Sequence, residues 1–279
     1  MKSASLVFLL AFFNLFVWHS VFSLKQGLKP AIYFLDVGQG DSELAVLAGG
    51  AKILIDGGGG KSVLYALEKA LNANDKYIDL MVLSHPNIDH FGGLIDVLRH
   101  YKVGAFMYNG DKNQSPAYEE LENELKISKT RVIEVGQGDK IKYRDNSFYV
   151  FHPRKNRGAD SEVNENSLVM MLDIQGTKSF FTGDTSLKIL EKLGKEYNLR
   201  ADILKIPHHG SKYSFDEKLL GQIEPRVAVI EVGKNSYGHP ASQVLEVFQT
   251  IRDRLYRTDQ DGSLKVSLDN GKVTIFKIR

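Results

Sequence analysis

The chain has 279 residues, of which 43% are hydrophobic and 25% charged. That is globular composition, inconsistent with a mostly disordered chain, and the length suits one large domain or two small ones. Lys and Arg total 36 against 34 Asp and Glu, a net charge of +2, so any nucleic-acid contact must come from a local patch; the lack of cysteine excludes thiol nucleophiles, Cys-ligated zinc, iron–sulfur clusters and disulfides.

Residues 3–24 carry no charge. As a helix they would span about 33 Å at ~1.5 Å per residue, enough for a ~30 Å hydrocarbon core. Residues 1–24 therefore read as a membrane anchor or a secretory signal peptide, with a buried core helix as the third alternative. The first two place the remainder outside the cytoplasm, anchored or secreted. Short apolar or alternating runs then predict strands over 31–37, 43–48 and 51–55, separated by Gly-rich turns. A helical period covers 61–71, followed by a buried strand at 79–84 and a helix at 91–99. Strands are expected at 131–135, 147–151, 167–174 and 177–182, then a helix at 186–197. Two more strands, 202–206 and 227–232, precede a helix at 242–251. Strands at 255–258, 263–268 and 272–278 close the chain, the last two around an Asp-Asn-Gly turn. The acidic run 119–124 reads as a solvated helical face, and the polar stretch 154–165 as a loop.

Histidine and aspartate concentrate just after apolar strands. The segments are His85-Pro86-Asn87-Ile88-Asp89-His90, Thr182-Gly183-Asp184, Pro207-His208-His209-Gly210-Ser211 and Gly238-His239-Pro240; they hold five of the eight histidines. Strands deliver such loop residues to one edge, where α/β proteins build sites. Imidazole and carboxylate together suit zinc, manganese or iron. Taken singly, each has a plain explanation: Asp184 could cap a helix, and His239 could shape a turn. Taken together, they point to a metal centre.

The same segments carry a family resemblance. Phe34-Leu35-Asp36-Val37-Gly38-Gln39-Gly40-Asp41-Ser42, Leu54-Ile55-Asp56-Gly57-Gly58, Leu83-Ser84-His85-Pro86-Asn87-Ile88-Asp89-His90-Phe91-Gly92-Gly93-Leu94, Glu165-Asn166-Ser167-Leu168-Val169, Phe181-Thr182-Gly183-Asp184, Lys205-Ile206-Pro207-His208-His209-Gly210-Ser211, Gly238-His239-Pro240 and Tyr256-Arg257-Thr258-Asp259 occur in order. The chain resembles the metallo-β-lactamase-fold hydrolase domain of the ComEC/Rec2 competence proteins, over about residues 31–268. The resemblance implies a hydrolase domain over 31–279 with an αββα sandwich, two mixed β-sheets flanked by helices. Family members also carry a multi-helix channel domain, so a separate DNA-uptake channel is an expected partner.

Carried over residue by residue, the resemblance implies metal ligands His85, Asp89, His90, Asp184 and His208. Asn87 stands where the superfamily has a histidine, and an amide binds metals weakly. One firm and one weaker divalent site are expected, with Mn2+ or Zn2+ as the ion. Asp89 is expected to orient the attacking water, and His209 and His239 to support the site or deliver a proton. Asp36, Asp41 and Asp56 are possible partners of the ligands, and Lys212 and Arg257 possible contacts for an anionic substrate. The expected activity is a metal-dependent phosphodiesterase or nuclease acting on DNA outside the cytoplasm, held to the membrane by its N-terminal helix. The alternatives are hydrolysis of a small ester or phosphate compound, and a binding module with a degenerate metal site.

Overall fold

The computed structural model describes residues 10–18, 29–155, 162–269 and 271–278. Among the described residues, fifteen strands form two mixed sheets. The first runs in the order β15-β14-β1-β2-β3-β4-β5-β6 and the second β13-β12-β11-β10-β9-β8-β7. In the first sheet, β1 (Ala31–Phe34), β2 (Glu43–Val46) and β3 (Lys52–Ile55) are antiparallel neighbours, and β1 also pairs with β14 (Ser263–Asp269), which pairs with β15 (Lys272–Ile278). From β3 outward, β4 (Tyr77–Val82), β5 (Lys102–Tyr108) and β6 (Arg131–Glu134) are parallel. In the second sheet, β7 (Lys140–Tyr143), β8 (Asn146–His152), β9 (Val169–Ile174) and β10 (Thr177–Phe181) are antiparallel. β10, β11 (Ile203–Lys205), β12 (Val227–Ile230) and β13 (Leu255–Arg257) are parallel.

Side chains alternate across each strand, and in the inner strands β1, β2, β3 and β12 both faces are buried. Ile32 and Phe34 of β1 enter the core between the sheets, with Val82, Met170, Phe181 and Val229. Ala31 and Tyr33 face the opposite way, into a core with α1 (Ser62–Ala70), α2 (Ile88–His100) and α3 (Pro116–Ile127), which contribute Leu67, Leu94 and Leu121. Ala228 and Ile230 of β12 likewise meet α4 (Leu187–Glu196), α5 (Glu217–Ile223) and α6 (Ser242–Val247) through Leu190, Leu219 and Val244. The result is the expected helix–sheet–sheet–helix sandwich. The short α7 (Thr258–Asp261) follows β13.

The expected helix over 242–251 is shorter than its apolar spacing suggests. It stops at Val247, where Phe248 leaves helical geometry at φ −91°, ψ 5°, and a 3-10 segment, Gln249–Arg254, follows, with Ile251 itself non-helical at φ −125°. The acidic run 119–124 lies on α3, whose Tyr118, Leu121 and Leu125 are buried while its carboxylates face outward. Residues 10–18 are helical and largely exposed. Among the described residues no helix is long and apolar enough to cross a membrane. The rest of the 1–24 stretch and residues 156–161 of the expected loop lie outside the described residues.

Candidate metal centre

The site gathers at one edge shared by both sheets. From the first sheet come Asp41, in the β1–β2 loop, Asp56, directly after β3, and Ser84 and His85, just beyond β4. Asp89 and His90 open α2. From the second sheet come Asp184, beyond β10, Lys205, the last residue of β11, and His208 and His209 in the turn that follows it. Glu231 follows β12 directly. Backbone packing explains the glycines beside these residues. Gly93 amide donates to the Gly58 carbonyl at 2.9 Å, and a side chain at Gly93 would collide with the Gly57 carbonyl. α2 therefore lies directly on the 57–60 loop, which brings Asp89 and His90 to Asp56. His208 and His209 both adopt left-handed backbone, φ 49° and 51°, a strained conformation for a non-glycine residue of the kind that clusters at functional sites.

Oδ2 of Asp184 is the hub. His90 Nε2 lies 3.3 Å from it, His209 Nε2 3.6 Å, and His85 Nε2 and His208 Nε2 3.9 Å each. Asp89 completes one side, with Oδ2 at 3.4 Å from His209 Nε2 and Oδ1 at 4.0 Å from His90 Nε2. Tetrahedral ligands with bonds of about 2.0–2.1 Å stand about 3.3–3.4 Å apart. Asp89, His90 and His209 lie within reach of one ion, and Asp184 joins His85 and His90 in a second group and Asp41 and His209 in a third. His85 Nε2, His90 Nε2, His209 Nε2 and Asp184 Oδ1 are buried, and none makes a hydrogen bond of acceptable geometry among the described residues. Buried polar atoms left this way are costly unless a ligand takes them up. The residues present therefore fit a divalent cation.

The other nitrogen of each ring fixes its tautomer. The Glu231 carbonyl can only accept, so His209 Nδ1, 2.8 Å away, carries a proton, and it is Nε2 that yields its own proton when a cation binds. His90 Nδ1 is 2.8 Å from Asp56 Oδ2, a carboxylate that also accepts from Ser84 N at 2.8 Å and Ser84 Oγ at 2.6 Å. Because Ser84 Oγ donates to Asp56, it accepts from His85 Nδ1 at 3.0 Å. Three rings thus turn Nε2 toward Asp184.

The electrostatics agree. Burial pulls His90 down, but Asp184, Asp56 and Asp41 outweigh it and raise it well above its ordinary value. Burial also opposes protonation of His209, yet Asp184 and Asp41 raise it to about 10. His85 is pushed down to about 3 by burial and by the charge of His90. For Asp89, the burial penalty is outweighed by the His209 ring 3.4 Å away and by the charge of His90, which hold it at about 2. Asp184, despite complete burial, is held well below the carboxylate range by His90 and His209. A field that retains protons on His90 and His209 also favours a cation that replaces them.

The remaining sequence candidates divide. His208 is half-buried beside Asp184, and the His239 ring lies 5.7 Å from the His208 ring, toward the surface. Asp41 is buried against His209 Nδ1, with Oδ1 at 3.2 Å. Asn87 donates its amide to Asn164 Oδ1 at 2.7 Å. Asp36 is exposed, and its Oδ1 accepts from the Gly38 amide in its own turn. Lys212 sits over the exposed Tyr213 ring. Arg257 is committed to Asp259 through two bonds of 3.0 and 2.7 Å.

Sequence reasoning did not single out Lys205, Glu43 or Glu231. Lys205 is fully buried, paired with Asp41, and donates to the Gly183 carbonyl at 3.1 Å. Glu43 and Glu231 are buried together near Asp41. Burial and mutual repulsion push Glu43 up; burial and Asp41 raise Glu231 to about 8. The signal was there: fully buried Lys and Glu are rare unless paired, and each of the three lies in or next to an apolar strand run.

A profile of the Metallo-beta-lactamase superfamily matches residues 35–233. ComE operon protein 3 of Bacillus subtilis is 31% identical over 266 residues, covering 85% of this chain and 33% of that protein. Recombination protein 2 of Haemophilus influenzae is 26% identical, covering 93% and 32%. The chain thus spans about a third of the length of these curated relatives. Among solved structures, the metallo-beta-lactamase fold protein YhfI from Bacillus subtilis superposes with a TM-score of 0.56 at 12% identity, over 89% of this chain and all of that one. With most of the chain inside the profile and the sandwich intact, the protein belongs to the metallo-beta-lactamase superfamily.

Proposed function

We propose that the chain is a metal-dependent hydrolase of phosphodiesters, with DNA as its substrate. The observation that carries this reading is the convergence of four imidazole nitrogens and Asp89 on the buried Asp184. The names of the relatives, a competence-operon protein and a recombination protein, favour DNA. Asp89, His90, His209 and Asp184 would hold the firm cation, Mn2+ or Zn2+. His85, with Asn87 drawn toward Asn164, would offer a weaker second position. The cation supplies Lewis acidity, bringing water toward a pKa of ~7 and polarising a phosphoryl oxygen.

The chain's own residues do the rest. Asp89 is about one-third exposed, so its carboxylate faces both the cluster and incoming water and orients the attack. His208 and His239 lie between the cluster and the surface. Burial keeps both below their ordinary value and therefore neutral at pH 7, so either imidazole would first accept a proton from the attacking water and then, as imidazolium, pass it to the leaving oxygen. Lys212, exposed beside the His208–His209 turn, would offer its ammonium to a phosphate. The uncharged stretch 3–24 supports a membrane-anchored or exported placement, with a separate channel as partner. Cell fractionation tests that part: recovery in the membrane or outside the cell is expected, and uncleaved soluble protein in the cytoplasm contradicts it.

The activity is tested by supplying the full chain with Mn2+ or Zn2+ and offering single-stranded DNA beside a small bis-aryl phosphodiester. Metal-dependent DNA cleavage is the expected result. Turnover of the small diester without DNA cleavage would replace DNA with a small phosphate compound. Metal binding with neither activity would favour the binding-module alternative, for which the Asn87–Asn164 bond is the supporting observation.

A further inference from the structure

Lys205 is the one cation inside the described centre that is not an imidazole. Its side chain is fully buried at the end of β11. The ammonium meets three acceptors: it pairs with Asp41 Oδ2, donates to the Gly183 carbonyl at 3.1 Å, and lies 3.7 Å from Asp184 Oδ1. An ordinary buried ion pair needs a single carboxylate. This one reaches the two carboxylates on either side of His209, whose Nδ1 is 3.2 Å from Asp41 and whose Nε2 is 3.6 Å from Asp184. Asp184 is therefore divided. Oδ2 faces the imidazoles, and Oδ1 faces the ammonium.

That division bears on how many ions the cluster takes. Imidazoles from both sides of the cluster face the same oxygen, Oδ2, and the charge of that carboxylate is already partly offset by the ammonium beside Oδ1. The His85 side has little to offset this. Its further neighbour by sequence, Asn87, gives its amide to Asn164.

We propose that Lys205 acts as a built-in second cation, a tethered ammonium that holds Asp41 and Oδ1 of Asp184, so that the cluster takes one divalent ion tightly and repels a second. This rests on reading the cluster as a divalent-cation site. The ammonium also keeps Asp41 and Asp184 charge-compensated, and so ordered, before metal arrives. A second ion on the His85 side would share Asp184 Oδ2 with the first and approach the like charge of Lys205 through a partly screened interior. Lys205 is thus a positioning residue, acting through Asp184 and Asp41.

The test counts ions. The full chain, Lys205→Met and the double variant Lys205→Met with Asp41→Asn are titrated with Mn2+. Bound ions are measured after equilibrium dialysis, and thermal unfolding is followed with and without Mn2+. The wild type is expected to hold one ion tightly and a second at least about tenfold more weakly. Lys205→Met is expected to bind the second ion about tenfold tighter than the wild type does. Its metal-free form should unfold at lower temperature, since two buried carboxylates lose their counter-charge, and Mn2+ should raise its melting temperature more than it raises the wild type's. The double variant removes the stranded Asp41 charge; it should regain metal-free stability and keep the tighter second binding. Two equally tight ions in the wild type overturn the proposal. So does second-ion binding unchanged in both variants, or failure of both to fold at any Mn2+ concentration, either of which would make Lys205 structural only. No Mn2+ bound to the wild type would instead bring down the metal-centre reading beneath it.

Discussion

Asp184 can face several imidazole nitrogens at once because three of the rings have their other nitrogen engaged. Asp56 is central to this arrangement. It takes His90 Nδ1, Ser84 N and Ser84 Oγ on one carboxylate, and through Ser84 it also orients His85. Its backbone is left-handed, φ 53°, which Asn tolerates well. Asp56→Asn should therefore leave the fold standing and weaken metal affinity about 10–100-fold, the usual effect of losing such a partner. Competition with a coloured chelator measures it; unchanged affinity would show that the Asp56 contact does not orient the rings. At this scale the sequence was legible for residue type and less so for direction. Adjacent His208 and His209 look alike on paper. Only the two left-handed residues in the turn decide that His209 is buried between Asp89 and Asp184 while His208 stays half-exposed. Asp36 and Asp41 share one loop, yet only Asp41 points inward, since Asp36 closes its own turn.

Among the elements, α2 matters most, because it carries Asp89 and His90 and rests on a loop of glycines. Gly93→Ala forces a methyl group against the Gly57 and Gly60 carbonyls. A cost of about 1–3 kcal/mol is expected from overpacking, together with weaker metal binding as His90 shifts. Gly221→Ala is the matched control. Gly221 lies within α5, and a methyl there meets nothing within 4 Å, so the change should be neutral or stabilising by up to about 1 kcal/mol. Denaturant unfolding of both variants checks the pair; equal effects would contradict the close-packing account. Strands buried on both faces, such as β1, β4 and β12, were readable as short apolar runs. β7 was harder to read. It is a four-residue edge strand, Lys-Ile-Lys-Tyr, whose charges face solvent and leave no apolar run. β5 is interrupted by Gly104, which packs against the Asp79 carbonyl.

For the whole molecule, the important fact is that the centre draws on both sheets. Asp89 and His90 belong to the first half of the chain, and Asp184 and His209 to the second. A cation bound there links the two halves and stabilises only the folded state. At 100- to 1,000-fold excess over its dissociation constant, it should contribute about 2.7–4.1 kcal/mol. For a domain of this size that is about 5–15 °C in melting temperature. Chelator should remove that shift and Mn2+ or Zn2+ restore it. A melting temperature indifferent to both would mean that no ion bridges the halves. The sandwich itself was legible from the order of strands and helices together with the motif set. The closeness of β3–β4 to β10–β12 was not, since it arises from two sheets packing face to face over Ile55, Val82, Phe181 and Val229, a contact between distant parts of the sequence.

The central claim is that the Asp184-centred cluster is a metal-dependent hydrolytic centre. Its most direct test is DNA cleavage by the full chain after metal loading, wild type beside Asp184→Ala, with bound metal counted in the same samples. Cleavage is expected to require Mn2+ or Zn2+, and the variant is expected to lose both the tightly bound ion and the activity, a fall of at least about 100-fold. Equal cleavage by folded Asp184→Ala, or cleavage by the wild type that persists after the metal is stripped, would contradict it.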